Sequence, residues 1–276
     1  MGHVAELGTA TLAELIALVR KHTGIAMTER KRSLLERRLR PRLQVLSLDS
    51  YHDYIALIES GGAEVSQFID MVTTNDTLFF RTPHVWDFFS KQFLPEWFVR
   101  HPGRCLHIWS SAAASGEEVY SIAMLCQEFQ RMVAGFRYQV LGSDISKNVL
   151  ATARAGQYAG RSIERIKMSH PVLFEKYFFR NAGQSQVTDE LKKHVSFVEH
   201  NLLTPLQTEE KFDIVFLRNV LIYFDADNQR NTLAQVRGSM RDDATLILGE
   251  SESINHLGTA YQFEVPLVYR VGEVTN

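Results

Sequence analysis

The chain has 276 residues, of which 45% are hydrophobic and 22% are charged, and its formal net charge is −2. This is ordinary globular composition, enough for one large domain or two smaller ones. The near-neutral charge excludes a generic nucleic-acid binder, so any basic surface must be local.

The two cysteines, Cys105 and Cys126, show no metal-ligand spacing and cannot form a disulfide framework, which fits a reducing cytosol. The start of the chain, MGHVAELGTATLAEL, lacks the basic region and long apolar core of a signal peptide. No apolar run approaches membrane-spanning length. We therefore expect a cytoplasmic protein with no metal site and no membrane insertion.

The first seventy-odd residues predict a small helical bundle. Apolar residues at helical spacing predict four helices, over 11–22, over 28–40, after the Ser50-x-x-Asp53 capping box, and around 65–72. Gly24 and the pair Gly61-Gly62 are expected to end the first and third of them. Pro41 is expected to end or kink the second.

Beyond this bundle, strand-like runs alternate with helices, which implies a mainly parallel, three-layer sheet. Predicted strands cover 106–109, 138–141, 212–217, 245–248 and 265–271, and predicted helices cover 117–130, 147–155 and 227–240. Pro266 favours an edge or a strand start. The less regular stretch between 156 and 203 predicts an inserted small subdomain, at about 177–198.

The stretch 106–120, LHIWSSAAASGEEVY, reads as a strand, a loop of small residues and a helix N-terminus. That order is typical of the nucleotide-binding corner of doubly wound folds, although only Gly116 of the usual glycines is present. A strand–turn–helix that binds nothing would have the same pattern. The loop is followed by Glu117 and Glu118 and has no Lys or Arg, so it would repel a pyrophosphate.

A ligand with a ribose and a cationic tail suits this corner better, and S-adenosylmethionine is such a ligand. Asp144 directly follows the second predicted strand, at roughly the spacing of an acid that binds ribose hydroxyls. Each acid has a simpler alternative. Asp144 could cap the next helix, and Glu117 and Glu118 could complement the helix dipole.

Four stretches resemble the CheR family of chemotaxis receptor glutamate O-methyltransferases. They are TTNDTLFFR at 73–81, WSSAAASGEEVYSI at 109–122, FDIVFLRNVLIYFD at 212–225 and GESES at 249–253. The resemblance covers nearly the whole chain. It implies a helical N-terminal receptor-docking domain, 1–74, followed by an S-adenosylmethionine-dependent domain, 75–276, with a Rossmann-like class I methyltransferase sheet.

Site residues follow from the same resemblance, position by position. It implies cofactor contacts at Asn75, Thr77, Arg81, Glu117, Asp144, Asn201, Leu202, Arg218 and Asn219. Arg81 and Tyr223 are the candidate catalytic residues nearest the transferred methyl group. Simpler alternatives remain, because Asn75 and Thr77 could be cap or turn residues, Arg81 a surface ion pair and Tyr223 part of the core.

The implied reaction transfers a methyl group from S-adenosylmethionine to glutamate side chains in the cytoplasmic helices of chemoreceptors, with S-adenosylhomocysteine as product and no metal. We expect a monomer that is recruited to receptor arrays. Receptor signalling helices are acidic, so the basic face of the second helix is a candidate docking surface, at Arg30, Arg37, Arg38 and Arg40. A solvated helix face is the simpler alternative.

Some family members use a longer loop in the inserted subdomain to hold a pentapeptide at the receptor C-terminus. Here the corresponding stretch, 181–189, is shorter and has one glycine, Gly183, which predicts methylation that is independent of the pentapeptide. Two alternatives stay open, a non-catalytic cofactor-sensing adaptor and the same chemistry in a non-motility signalling array. The missing glycines and the acidic loop disfavour a dinucleotide-dependent oxidoreductase.

Overall fold

The computed structural model describes residues 6–272, so the outermost residues of both predicted domains, 1–5 and 273–276, lie outside the described part. Within the described part, none of the helices combines the length and the apolar character that a membrane crossing needs.

Four helices form the N-terminal bundle, as the sequence predicts: α1 Thr9–Thr23, α2 Arg32–Val45, α3 Tyr51–Glu59 and α4 Ala63–Val72. Their inward faces make a separate core, in which Leu15, Leu39, Tyr54 and Phe68 are fully buried. Gly24 is confirmed as the end of α1, where its φ is 75°, and the capping box is confirmed because the Ser50 hydroxyl accepts from the Asp53 backbone N at 3.2 Å. The third helix ends at Glu59 with Ser60 as its C-cap, just before Gly61.

The sequence predicts that Pro41 ends or kinks the second helix. The prediction of an end is wrong, because α2 continues through Pro41 to Val45. Proline inside a helix removes one backbone donor and costs about 3 kcal/mol. Tertiary packing offsets this cost. Leu39 and Leu43 are fully buried on either side of Pro41. In the same last turn, Arg42 makes two hydrogen bonds to Glu64, of 2.9 and 2.6 Å.

A large mixed sheet follows the bundle. The strands in chain order are β1 Cys105–Ser110, β2 Arg137–Asp144, β3 Gln157–Tyr158, β4 Phe178–Asn181, β5 Gln184–Val187, β6 Val195–Glu199, β7 Phe212–Leu217, β8 Met240–Leu248, β9 Tyr261–Val265 and β10 Val268–Val271. The seven-stranded sheet has the order β6-β2-β1-β7-β8-β10-β9. Its first five strands are parallel to one another, and β10 pairs antiparallel with β8 on one side and with β9 on the other.

Helices cover both faces of this sheet, which confirms the predicted three layers. They are α5 Pro83–Phe88, α6 Leu94–Arg100, α7 Glu117–Met132, α8 Lys147–Ala155, α9 Arg161–Ser169, α10 Pro171–Tyr177, α11 Asp189–Lys192 and α12 Ala226–Gly238. Successive strand residues point to opposite faces. Thus Ile108 and Ile214 pack in the core that contains α7 residues, whereas Trp109 and Val215 pack in the core that contains α12 residues.

Two sequence predictions about the strands need correction. The single strand predicted over 265–271 is a hairpin of β9 and β10, in which Pro266 and Leu267 form the turn and Leu267 has a φ of 69°. The small sheet of the insertion has the order β3-β5-β4, so it begins near 157 rather than 177. Val195–Glu199, included in the predicted insertion, instead pairs with β2 at the edge of the large sheet.

Candidate active site

A cleft lies where the carboxyl ends of β1, β2 and β7 meet the helical bundle. It contains about 910 Å³ of space, counting the part open to solvent. Ligands of open α/β sheets bind outside the carboxyl ends of the strands. The bundle supplies part of the wall through Thr23, Ile25 and Thr73. A β-bridge between Ile25 and Phe224 fixes the two domains together at the cleft.

The loop between β1 and α7 forms one wall from backbone and small side chains. Gly116 has a φ of 95°, and a Cβ there would lie 2.9 Å from the Cβ of Ala153, so the position requires glycine. Ala114 also has a positive φ, 45°. In that conformation its backbone N–H donates to Oδ2 of Asp144 at 2.9 Å, which joins the loop to the end of β2.

Asp144 lines the cleft with a carboxylate that is only 8% exposed. Burial raises its pKa, and hydrogen bonds from backbone N–H groups of Ser146 and Ala114 oppose that rise. The alternative that Asp144 caps the next helix is wrong, because Ser146 is the N-cap of α8 and its hydroxyl accepts from Val149 N at 3.4 Å. A carboxylate has about four acceptor sites, so Asp144 retains capacity for hydroxyl donors.

Arg218 is the side chain that ties the cleft walls together. Its Nη1 donates to Oε2 of Glu118 at 2.7 Å, and the two side chains are 1% and 12% exposed. Its Nη2 donates to the backbone O of Arg81 at 3.1 Å, and its guanidinium lies 5.7 Å from the centre of the Trp86 ring. Arg218 therefore connects the end of β7, the start of α7 and the segment before α5.

Glu117, predicted as a cofactor contact, does not line the cleft. Its carboxylate accepts from the hydroxyls of Ser115 at 2.7 Å and Ser162 at 2.9 Å, on the side of the insertion. Glu118 lines the cleft instead. Consecutive helical residues point in directions about 100° apart, so only one of the two acids can face the ligand. The loop itself has no basic residue, but Arg218 from the end of β7 forms an ion pair with Glu118.

Asn75, Thr77 and Arg81 line the cleft from the segment that joins α4 to α5. Phe79 and Phe80 are buried in the sheet core and anchor this segment. The Arg81 guanidinium donates to the backbone O of Asp76 at 3.1 Å rather than to a carboxylate, so the surface ion-pair alternative is wrong. Asn75 and Thr77 do not cap α5, whose N-cap is Thr82.

Asn201, Leu202, Asn219 and Tyr223 also line the cleft. The Asn201 amide donates to the His22 backbone O at 2.9 Å, which holds the end of α1 against the loop after β6. Tyr223 packs against the core on the α12 side and also lines the cleft.

One further cleft residue, His200, bears on the charge of this wall. Burial lowers the pKa of His200, so its imidazole is neutral at neutral pH and adds no positive charge.

Arg38, predicted as a receptor-docking residue, has a structural partner. Its Nη1 donates to the backbone O atoms of Val72 and Thr73, both at 2.9 Å, and its Nη2 to the Thr74 hydroxyl at 3.1 Å. Thr73 and Thr74 line the cleft, so Arg38 supports the cleft wall rather than a free docking face. The other three predicted docking residues, Arg30, Arg37 and Arg40, are exposed.

Comparison with known families identifies the two domains. The model described as "CheR methyltransferase, SAM binding domain" matches residues 75–266, and "CheR methyltransferase, all-alpha domain" matches residues 10–73. The chain belongs to the CheR methyltransferase family. The S-adenosylmethionine-binding part of this family coincides with the large sheet that carries the cleft.

Several proteins named as chemotaxis protein methyltransferases are similar to this chain over most of their length. Chemotaxis protein methyltransferase Cher2 of Pseudomonas putida is 31% identical over 261 residues, 92% of this chain and 94% of the relative. The chemotaxis protein methyltransferase of Escherichia coli is 34% identical, over 97% of this chain and 92% of the relative. That of Borreliella burgdorferi is 34% identical, over 88% of both.

Similarity to solved structures is slight. A SAM-dependent methyltransferase from Methanosarcina mazei is 15% identical, with a TM-score of 0.33, and the match covers 51% of this chain and 50% of that chain.

Sequence reasoning missed part of the CheR-type cleft. Glu118 was not assigned to the ligand, and no signal in the sequence separates it from Glu117. Thr23 and Ile25 come from the end of α1, about fifty residues before the first predicted contact, and only the fold brings them to the cleft. Arg218 was assigned through the family resemblance alone, without its partner Glu118.

Proposed function

We propose that this protein transfers a methyl group from S-adenosylmethionine to glutamate side chains in the cytoplasmic helices of chemoreceptors, giving glutamate methyl esters and S-adenosylhomocysteine. The observation that carries the proposal is the interdomain cleft, which is lined by Asp144, Glu118 and Arg81 and lies next to α2 with its exposed arginines. The names of the relatives support the same reaction class. Because the proposed substrate helices are cytoplasmic, we expect the enzyme to act in the cytoplasm, at receptor arrays. We expect it to act there as a monomer.

The side chains of the cleft fit the chemical groups of this cofactor. Asp144 keeps acceptor capacity for the two ribose hydroxyls. Glu118 offers a carboxylate for the ammonium group, and takes the role that the sequence suggested for Glu117. Arg81 is available for a carboxylate, either that of the cofactor or that of the substrate glutamate, and Asn201 and Leu202 are assigned to the adenine.

When bound, S-adenosylmethionine supplies an electrophilic methyl group on a positively charged sulfur. An exposed glutamate has a pKa of about 4.3, so the substrate carboxylate is already ionised at neutral pH and needs no general base. The work of the protein is therefore to hold the reactants in line and to exclude water. Tyr223, between the core and the cleft, is suited to position the attacking oxygen or the methyl group.

The reaction is tested with methyl-labelled cofactor and receptor cytoplasmic fragments. We expect base-labile label on glutamates, and none on a matched fragment in which those glutamates are replaced by glutamine. If the protein binds S-adenosylhomocysteine but transfers no label to any receptor fragment, the non-catalytic sensing alternative is favoured and the proposed reaction is wrong.

Receptor docking is assigned to the exposed arginines of α2 and of the turn before it. Reversing Arg37 and Arg40 to Glu is expected to slow receptor methylation about tenfold at low salt, because charges at the rim of an interface mainly steer encounter. The affinity for S-adenosylhomocysteine should not change. Arg38→Ala is the matched control, and it should weaken cofactor binding because Arg38 holds Thr73 and Thr74. Equal loss of cofactor affinity in R37E/R40E would make this face structural.

Independence from a receptor pentapeptide is supported by the hairpin of β4 and β5. Asn181 pairs with Gln184, which leaves a two-residue turn of Ala182 and Gly183 with φ values of 47° and 81°. The turn itself offers only the methyl group of Ala182 as a side chain for contacts with a peptide. We expect calorimetric titration with a receptor tail pentapeptide to give no heat of binding, and equal methylation of receptor fragments with and without the tail. Micromolar binding would contradict the proposal.

A further inference from the structure

A buried carboxylate lies beneath the loop that follows β7. Glu252, in the turn after β8, is only 7% exposed and accepts four hydrogen bonds from backbone N–H groups. Its Oε1 accepts from Val220 N at 2.8 Å and Leu221 N at 2.7 Å. Its Oε2 accepts from Asn219 N at 2.8 Å and Gly249 N at 2.7 Å.

Three of these donors are consecutive, 219 to 221, and they converge at the start of the 3-10 turn Leu221–Tyr223. Successive N–H groups that point to one place form a concave site for an anion. Asn219 has a φ of 60°, a conformation that is disfavoured for residues with a side chain. The carboxylate holds the loop in this conformation, because a change of φ at Asn219 would turn the N–H groups of Val220 and Leu221 away from Oε1.

The neighbouring glycine shows how closely the two segments approach. A Cβ at Gly249 would lie 2.7 Å from Oε2 of Glu252 and 2.9 Å from the backbone N of Asn219. The turn after β8 therefore reaches the loop after β7 only with glycine at 249. Both Gly249 and Glu252 of this turn are therefore needed for its contact with residues 219–221.

The loop that Glu252 fixes carries much of the cleft wall. Arg218, Asn219, Val220 and Tyr223 line the cleft, whereas Glu252 does not. We propose that Glu252 is a positioning residue of the active site, whose carboxylate sets the backbone of 219–221 and so presents these side chains to the cofactor. This inference rests on the proposed function for the identity of the cofactor.

Two variants separate this role from simple packing. Glu252→Gln keeps the size of the side chain but replaces one oxygen by an NH₂ group. Two backbone N–H groups then point at a group that cannot accept their hydrogen bonds. Glu252→Asp loses a methylene but keeps the charge and both acceptor oxygens. A packing role predicts that Gln is tolerated better than Asp, and the positioning role predicts the reverse order.

We expect E252Q to raise the dissociation constant of S-adenosylhomocysteine and the KM for S-adenosylmethionine about tenfold or more, since two buried donors lose their acceptor. The KM for the receptor fragment should not change, and E252D should recover part of the cofactor affinity. Glu250→Gln, exposed in the same turn, is the control and should behave as the unmodified protein. Unchanged cofactor affinity in E252Q, or a weaker affinity in E252D than in E252Q, would overturn the proposal.

A measurement on the unmodified protein covers the case in which E252Q does not fold. The amides of 219–221 should exchange with solvent about a hundredfold more slowly than exposed loop amides, because the carboxylate holds them. Exchange as fast as in exposed loops would overturn the role of Glu252. Failure of the unmodified protein to bind S-adenosylhomocysteine would instead contradict the proposed function, and the exchange result would still decide the role of Glu252.

Discussion

Replacing Arg218 by Met is expected to lower the free energy of unfolding by about 3 kcal/mol and to remove measurable binding of S-adenosylhomocysteine. The substitution leaves Glu118, whose side chain is only 12% exposed, without the guanidinium that neutralises it. The backbone O of Arg81 loses a donor in the same step. Urea denaturation measures the first effect, and isothermal calorimetry measures the second.

A double-mutant cycle with Glu118→Gln tests whether the loss comes from this pair. If the unpaired carboxylate causes the instability, R218M/E118Q should be more stable than R218M, although cofactor binding should stay weak. Arg237→Met is the matched control, because it breaks an ion pair with Asp242 whose side chain is 92% exposed, and such pairs contribute about 1 kcal/mol or less. A loss in R218M no larger than that in R237M would contradict this account of the cleft.

Asp144→Asn is expected to weaken S-adenosylhomocysteine binding by about a hundredfold or more, because hydrogen bonds to a charged group contribute about 1.5–3 kcal/mol each. The free energy of unfolding should change little. The substitution removes one acceptor for the backbone N–H groups of Ala114 and Ser146, but it also removes a buried charge. Calorimetry with the product, without any receptor, measures the effect on binding alone.

Asp227→Asn is the control for this second prediction, since its side chain is 87% exposed on α12. It should bind S-adenosylhomocysteine as the unmodified protein does. If the affinity of D144N for S-adenosylhomocysteine is within about tenfold of that of the unmodified protein, Asp144 fixes the loop through Ala114 and does not contact the ribose.

The sequence predicted the layers of the fold well where one local pattern dominates. The buried strand 212–217 and the helix 147–155 have the predicted bounds. The two prolines were the difficult positions. Around Pro41, buried leucines and the Arg42–Glu64 pair outweigh the lost donor, whereas the chain reverses at Pro266. Neither outcome depends on the proline alone, so neighbouring sequence could not decide it.

The cleft was predictable only in part, for a geometric reason. Asp144 could be found because it follows a strand at the end of the sheet where ligands bind. The sequence could not show which of two adjacent residues on a helix faces the cleft. Glu117 and Glu118 face different sides, and Arg38 bonds to the cleft wall while Arg37 is exposed. The partner of Glu118 lies one hundred residues later, at Arg218, and only the folded sheet brings the two together.

Hydrogen exchange of the protein with and without S-adenosylhomocysteine tests most directly whether the interdomain cleft binds the cofactor. We predict slower exchange in the segments that form its walls, 73–81, 111–118, 200–203 and 218–223, and no change in the small sheet of β3, β4 and β5. Protection that is absent from both 73–81 and 218–223, or that is confined to the small sheet, would contradict the account.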